Sequence, residues 1–432
     1  MMGWVAVVRG REIRIAAVLA ITGTPVAPAF AYWELIPQVE AGATYENNPR
    51  YVTDEARDEP GFNAESTRDA LGTYTDMRLE GNFRTPSTQA SLIPRFRATD
   101  YLKSNKDLND DDFYLDFRSA HSGTLGNVGL DASYQDTGLR TSEFESATPD
   151  NPDDPPPISS GSGRFSDNSQ ETFTLQPSLN YQLSQRNIVG VTGLFSDTTY
   201  DEDENSPINR NYLDYEYSSV EVSTRHVLDA RNYLVVALNG GNFLAEEDDG
   251  SFRNSTDSFG ITAAYNRTFS ETLTGSITAG MTRSSININN VFRNQERNFV
   301  GSLDLRKRSE LTTANFTLSS QIAPRSDGTE VVQERARLFF ERRLTNRLSG
   351  NLSGLYSRES AVGRDSTSTI VRQDRDYFTI DTGVSWSLTE TLAVYGTYTY
   401  VSDTTDVIGG NVHQTNNRLY FGVRYRGVGL RR

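Results

Sequence analysis

The stretch RNFVGSLDLR (297–306), followed by KRSE (307–310) and LTTANFTLSSQI (311–322), decides the fold. In its first part Phe299, Gly301, Leu303 and Leu305 fall on one side of an extended chain. Asn298, Ser302, Asp304 and Arg306 fall on the other. In its last part Ala314, Phe316, Leu318 and Ile322 oppose Asn315, Thr317, Ser319 and Gln321. Period-2 alternation over this length is a strand with two unlike faces, and the break at Arg308-Ser309-Glu310 is a tight turn. The stretch is therefore a hairpin with one apolar and one polar side.

The same phrasing runs through the chain. Phe259, Ile261, Ala263 and Tyr265 oppose Ser258, Thr262 and Asn266. Leu348, Leu352 and Tyr356 oppose Asn351, Ser353 and Ser357. Leu419, Phe421, Val423 and Tyr425 oppose Arg418 and Arg424. Eighteen such segments begin near residues 34, 70, 90, 111, 126, 170, 187, 212, 232, 257, 273, 297, 311, 331, 348, 375, 392 and 417. A strand of about 10 residues, tilted near 45°, covers roughly 25 Å, the height of the lipid-facing band of a membrane barrel.

The connections alternate in length. Short ones lie at 184–186, 228–231, 270–272, 308–310, 345–347 and 389–391. Long ones lie near 46–67, 136–168, 201–210, 244–254, 285–295, 359–373 and 402–415. Short turns at one end and long polar loops at the other are the habit of outer-membrane barrels. The expected fold is all-β: one antiparallel up-and-down transmembrane barrel of about 18 strands, with short periplasmic turns and long extracellular loops. Near copies of one turn, such as Leu183-Ser184-Gln185-Arg186-Asn187 and Leu344-Thr345-Asn346-Arg347-Leu348, recur once per hairpin. A propeller blade would fit four short strands into that repeat, where only two long ones are found.

Composition agrees and narrows the function. Only 36% of the 432 residues are hydrophobic, and no stretch after residue 31 holds the roughly 18 to 20 apolar residues of a spanning helix. A barrel tolerates this, because every second residue faces lipid. There is no cysteine, so disulfides, thiolate metal sites, thiol nucleophiles and a lipidated cysteine are all excluded. A net charge of −15 makes nucleic acid a poor partner.

The N-terminus carries Arg9, Arg11 and Arg14, an apolar run from Ile15 to Ile21, and the small-x-small site Ala29-Phe30-Ala31. That layout is a secretory signal peptide over 1–31, cleaved after Ala31, with the barrel occupying 32–432 and export running through the Sec pathway. The expected location is the outer membrane. The expected partners are its lipid and lipopolysaccharide, the barrel-assembly machinery, and polysaccharide or secretion-system components.

Strand parity nominates Asp304, Arg306, Arg335, Arg337, Glu341, Arg418 and Arg424 as lumen lining, either as a selectivity filter or as a self-paired inner wall. Tyr45, Tyr134, Tyr356 and Tyr400 end upward strands on the apolar face, where an aromatic girdle belongs. The loop 136–168, with Pro155-Pro156-Pro157 and Ser159-Ser160-Gly161-Ser162-Gly163, has the composition of a solvated segment; inward folding is the alternative. The acidic tips Asp201-Glu202-Asp203-Glu204 and Glu246-Glu247-Asp248-Asp249 are solvated loops or, failing EF-hand spacing, improvised calcium sites. The three histidines, His121, His226 and His413, pair with no nucleophile, so no enzyme and no cofactor is expected.

The turn-and-strand phrasing from residue 170 onward, Leu183-Ser184-Gln185-Arg186-Asn187 into Ile188-Val189-Gly190-Val191-Thr192 and Arg337–Arg347 into Leu348-Ser349-Gly350-Asn351-Leu352, resembles a β-barrel porin family. That family accompanies exopolysaccharide and exosortase systems of Gram-negative bacteria. The opening Gln38-Val39-Glu40-Ala41-Gly42-Ala43-Thr44-Tyr45-Glu46-Asn47-Asn48 is similar to the family's first strand. The resemblance implies a passive outer-membrane pore serving polysaccharide secretion. A structural barrel that anchors polysaccharide or a partner, and an outer-membrane hydrolase, are the alternatives. The chain departs from the pattern at its end, where Tyr425 is followed by RGVGLRR rather than closing on an aromatic residue.

Overall fold

The computed structural model describes residues 31–49, 69–102, 105, 108–138, 169–201, 213–246, 253–289, 292–325, 328–362, 374–407 and 410–431. The strands are β1 (Tyr32–Glu46), β2 (Ala70–Arg84), β3 (Thr88–Tyr101), β4 (Asp110–Ser122), β5 (Gly126–Gly138) and β6 (Ser169–Gln182). Next come β7 (Asn187–Asp201), β8 (Tyr215–Val227), β9 (Asn232–Glu246), β10 (Arg253–Ser270), β11 (Leu273–Ile288) and β12 (Phe292–Arg308). The last are β13 (Thr312–Pro324), β14 (Glu330–Arg343), β15 (Leu348–Ala361), β16 (Arg375–Ser387), β17 (Leu392–Val407), β18 (Gly410–Arg426) and the short β19 (Leu430–Arg431). Each strand from β1 to β18 pairs antiparallel with the next, and β1 also pairs with β18. The result is a closed 18-strand up-and-down barrel.

Most strands begin within three residues of the positions given by alternation. β10, β12 and β18 begin earlier, at Arg253, Phe292 and Gly410. Their first residues read RNST, FRNQE and GNVHQ, where Phe292 and Val412 stand alone among polar residues, so no period-2 contrast marks them. A strand of 18 residues such as β10 outruns the lipid band, and its loop-side end stands in water or headgroups. The end of the chain also differs from a bare tail. Gly427 N–H donates to the Pro37 carbonyl at 2.8 Å, and β19 pairs with Glu34 and Leu35 of β1.

The short turns share a device. The side-chain oxygen of the first turn residue accepts the backbone N–H two residues on at Thr85 (3.3 Å), Ser184 (3.3 Å), Asp229 (2.7 Å), Ser270 (3.3 Å), Thr345 (3.2 Å) and Thr389 (3.2 Å). At five of these the next N–H donates to the same oxygen. Ser, Thr and Asp side chains thereby satisfy donors that a two-strand reversal leaves free. This is the physical content of the repeated Leu-Ser/Thr phrase.

Closure is secured inside the seam between β18 and β1. Gly42 faces Gly422 in the ladder, with Tyr74 of β2 on one flank and Tyr395 of β17 on the other. The two tyrosine hydroxyls hydrogen-bond to each other over this pair of glycines. A Cβ on Gly42 would stand 2.3 Å from the Phe421 carbonyl oxygen and 2.9 Å from the Tyr74 ring. Tyr395 also donates to Glu40 at 2.6 Å, and Arg424 bridges Glu40 at 2.5 Å, so β17, β18, β1 and β2 are tied together across the chain ends. Gly42→Val is expected to cost about 1–3 kcal/mol or more through overpacking at the seam. Gly240→Ala, whose Cβ meets only the Ser258 carbonyl at 3.8 Å, is expected to leave stability unchanged. The urea midpoint of the heat-modifiable folded band on gels measures both.

Candidate functional site

Ladder register assigns every side chain to the inner or outer face. Outward positions carry Leu35, Val39, Met77, Leu92, Phe96, Val220, Val222, Val236, Leu238, Ile261, Ile277, Phe299, Val384 and Phe421, all exposed. Their neighbours along each strand point into the barrel and are mostly polar. An exposed apolar belt around a closed, polar-lined ring is stable only with hydrocarbon outside, so the chain is an outer-membrane-type β-barrel.

All seven nominated charges lie on the inner face, in three separate sectors. On β12, Asp304 accepts from Ser302 (3.0 Å), Thr317 (3.0 Å) and Ser276 (3.3 Å), with Arg306 one inward step toward the turns. On β14, Arg335 is buried, Arg337 is half-buried and Glu341 is exposed toward the turn end. On β18, Arg418 bridges Glu46 at 2.9 Å and Arg424 bridges Glu40. Sequence reading missed the partners of these groups. Glu46 also accepts from Tyr101 and, at 3.0 Å, from Asn416. Asp76 holds Arg95 in a two-pronged contact and Arg97 at 3.3 Å. Arg375 grips Asp403 at 2.9 and 3.2 Å, fully inside the wall. Each of these acids shares the parity of its strand's polar face, which is a usable signal. Their pairing depends on registers between strands far apart in sequence, which is not.

Of the proposed girdle, Tyr45 donates to Asp69 at 2.6 Å and Tyr356 to Asp376 at 2.9 Å. The Tyr134 and Tyr400 rings lie against Phe113 and Phe378. A second set at the turn ends went unread: Trp33 on Phe83 at 4.7 Å, with Tyr181, Phe269, Trp386 and Tyr425 all exposed. The histidines bond locally, His121 to Thr88 (2.9 Å), His226 to Asn187 (2.8 Å) and His413 to Thr404 (2.9 Å). Ala31 immediately precedes β1, whereas Ala29, the bulk of loop 136–168, and most of both acidic tips lie outside the described residues.

The interior is asymmetric along its axis. Toward the turns, inward Arg118, Glu221, Arg225, Arg306 and Glu341 are exposed. Toward the loops, inward Thr44, Glu46, Asp112, Thr198, Phe243, Ser284, Gln333, Asp403 and Asn416 are at most 1% exposed. The wall itself contributes to this closure. β12 and β13 pair only from Arg308–Thr313 up to Gly301–Ser320. Above that, residues 292–300 of β12 keep β11 alone, while β13 and β14 stay paired to each other. The end of β13 and the start of β14, 321–325 and 328–330, lean into the lumen, while Val331–Glu334 stay paired with Arg358–Ala361 of β15. There Gly328 (φ 72°) sits against Leu213 and Ala245, and its carbonyl accepts from Asn254 of β10 at 2.7 Å. Ala323, Arg325, Glu330, Val331 and Gln333 are all buried. Leu213, Tyr215, Phe243 and Ala245 form an apolar cluster beneath them.

No family model and no curated protein matches the sequence. Among solved structures the chain is similar to the FrpB iron transporter from Neisseria meningitidis (F3-3 variant), with 8% identity, 91% of this chain and 81% of that one covered, and a TM-score of 0.44. It is also similar to BauA, the ferric preacinetobactin receptor from Acinetobacter baumannii (8% identity, 90% and 80% covered, TM-score 0.43). A third is a loop-deleted OmpT, an outer membrane protein of Vibrio cholerae (12% identity, 92% and 99% covered, TM-score 0.34).

Two measurements check this site. Val236→Arg, on the outer face, is expected to cost about 2–4 kcal/mol of folding into lipid vesicles, and Val235→Arg, one residue away and inward, far less. Asp403→Leu is expected to cost about 3–5 kcal/mol by stranding buried Arg375, and the double variant Arg375→Met/Asp403→Leu to recover most of it in the same urea titration.

Proposed function

We propose that the protein is an outer-membrane conduit for a hydrophilic solute, and that the solute is an exported polysaccharide. The single observation that carries the conduit is the closed 18-strand wall with a polar, charge-paired inner face open toward the turns. Eighteen strands enclose enough width for water and a sugar chain. The polysaccharide is supported by the family resemblance of the hairpin phrasing and by the inner row Tyr395, Tyr74 and Tyr420. Tyr74 and Tyr420 are set edge to face at 5.2 Å, and Arg418 and Arg424 lie over the Tyr420 and Tyr395 rings. Sugar rings offer apolar C–H faces to aromatic planes and hydroxyls to paired charges. In this reading the girdle tyrosines fix the barrel's depth, the seven nominated charges line the path, and no residue acts as a catalyst. The signal peptide supplies Sec export, and the assembly machinery and lipopolysaccharide are the partners at the membrane.

The buried loop-side interior favours a second reading, a structural barrel that anchors polysaccharide through its outer surface. Planar-bilayer recording separates the two. The conduit is expected to give ohmic current steps that a neutral dextran oligosaccharide blocks transiently from the turn side. A folded, heat-modifiable barrel that stays silent under every condition, including those that free its inward-leaning strand ends, fits only the structural barrel.

A further inference from the structure

We propose that Arg283 of β11 and Arg297 of β12 form a site on the outside of the barrel for a phosphomonoester of an outer-leaflet glycolipid, the headgroup chemistry of the lipid A part of lipopolysaccharide. The two residues are direct ladder partners on the outer face, and both are exposed. Opposed positions bring the backbones to about 4.5–5.5 Å, and like charges placed there repel. The wall does nothing to relieve this. Phe259 lies opposite Arg283 on β10, and above the fork at Gly301–Ser320 no β13 residue stands opposite Arg297. The nearest outward acid in the ladder, Asp257, sits diagonally from Arg283 and accepts instead from Asn242 at 2.9 Å. Among the described residues neither arginine has an acidic partner. Arg283 donates to Gln295 Oε1, which steadies its guanidinium on the loop side of the pair. Arg358 of β15 is a contrast. It too stands above an outward aromatic residue, Tyr356, but it bridges Asp376 at 4.0 Å and lies opposite Glu334.

Depth points to a lipid. On β12 the outward run Phe299, Gly301, Leu303 and Leu305 is bounded by Arg297 at the loop end and by exposed Lys307 at the turn end. Arg297 to Lys307 covers about 34 Å of strand, or roughly 24 Å of depth at a 45° tilt, which is the height of the hydrocarbon-facing band. Met281 stands beneath Arg283 on β11 as Phe299 stands beneath Arg297. Both guanidiniums therefore sit at the level of lipid phosphates, in the leaflet on the side of the long loops. In an outer membrane that is the lipopolysaccharide leaflet.

Charge selects among the anions found there. A phosphomonoester carries about −1.5 to −2 at neutral pH and offers three acceptor oxygens. The phosphodiester of a glycerophospholipid has a single acidic oxygen. Two opposed cations are matched by the first, and the guanidinium fork suits its oxygens. Round much of the rim the outward residue above the apolar band is acidic, as at Asp136, Glu171, Asp197, Glu216, Asp257 and Asp376. A phosphate is repelled at those places, which leaves the β11–β12 sector as its seat.

The site rests on the outer-membrane placement and not on transport, so a barrel that never conducts leaves it standing. The test uses the mature chain refolded into phosphatidylcholine vesicles, with the heat-modifiable band followed through a urea titration. Bisphosphorylated lipid A in the vesicles is expected to raise the wild-type midpoint, because a ligand of the folded state stabilises it. Arg283→Gln and Arg297→Gln are expected to lose most of that rise. Without lipid A each is expected to match or exceed the wild-type midpoint, because the repulsion is gone. Arg358→Gln, which removes a charge already paired, is expected to keep the rise. Lipid A titrated onto the folded protein in detergent and counted by native mass spectrometry is expected to bind each site variant about tenfold more weakly or worse. An unchanged lipid A response in Arg283→Gln/Arg297→Gln overturns the site. A lowered midpoint in both single variants without lipid A overturns it in favour of a structural pair. An equal rise with phosphatidylglycerol overturns the phosphomonoester in favour of any anionic lipid, and inorganic phosphate that displaces lipid A overturns the lipid in favour of a free anion. A wild-type chain that enters no vesicle overturns the membrane placement, and the site falls with it.

Discussion

A peptide N–H or C=O inside hydrocarbon has no water to turn to, and each one left unpaired costs several kcal/mol. Every feature of this protein follows from that constraint. A sheet with open edges fails it, so the first and last long strands must meet. The meeting is made by residues nearly four hundred positions apart: Gly42 against Gly422, Glu40 against Arg424, Glu46 against Arg418. Two glycines at the join let the strands and the flanking Tyr74 and Tyr395 rings come close enough to hydrogen-bond across it. β19 extends the same seam on β1 beyond the end of β18.

Given closure, the period-2 alternation acquires a direction. Leu, Val, Ile and Phe must take the outside, and Asp, Glu and Arg the inside. Buried charges then need partners, and the wall supplies them from neighbouring strands: Arg95 and Arg97 with Asp76, Arg375 with Asp403. Such pairs contribute little net stability by themselves, because desolvation offsets much of the attraction. Their effect is on register. A slip of one residue would turn Arg375 to the outer face and leave Asp403 alone inside, so the pairs exclude the competing alignments that a repetitive hairpin sequence invites.

This division of labour explains what could be read from residues alone. Strand positions, the turn spacing and the inner parity of Asp304, Arg306, Arg335, Arg337, Glu341, Arg418 and Arg424 are local properties, visible in any run of about ten residues. The Ser184 and Thr345 phrases were legible as repeats, though their capping bonds needed coordinates. Three things were not legible. The loop-side extensions of β10, β12 and β18 leave the lipid, and both their faces turn polar. The partners of the inner arginines lie on strands whose relative stagger no single segment encodes. The separation of β12 from β13 leaves no trace, because Ile322 keeps the outward pattern of a strand still paired to β12.

That separation sits where the governing constraint relaxes. Along β12 the outward residues run Leu305, Leu303, Gly301 and Phe299, then change to Arg297 and Gln295. Arg283, the ladder neighbour of Arg297, makes the same change on β11 beside Met281. The fork at Gly301–Ser320 therefore opens one step below the level where side chains stop meeting hydrocarbon. Below it an unpaired edge would be prohibitive, and pairing is continuous. Above it water can serve those backbone groups of β12 that face away from β11, the Ser320 hydroxyl donates to the Phe299 carbonyl at 3.5 Å, and the end of β13 is at liberty to bury Ala323 inside. The height at which the lipid ends thus sets how much of the wall can bend inward, and a barrel whose strands overshoot the membrane has the length to do so.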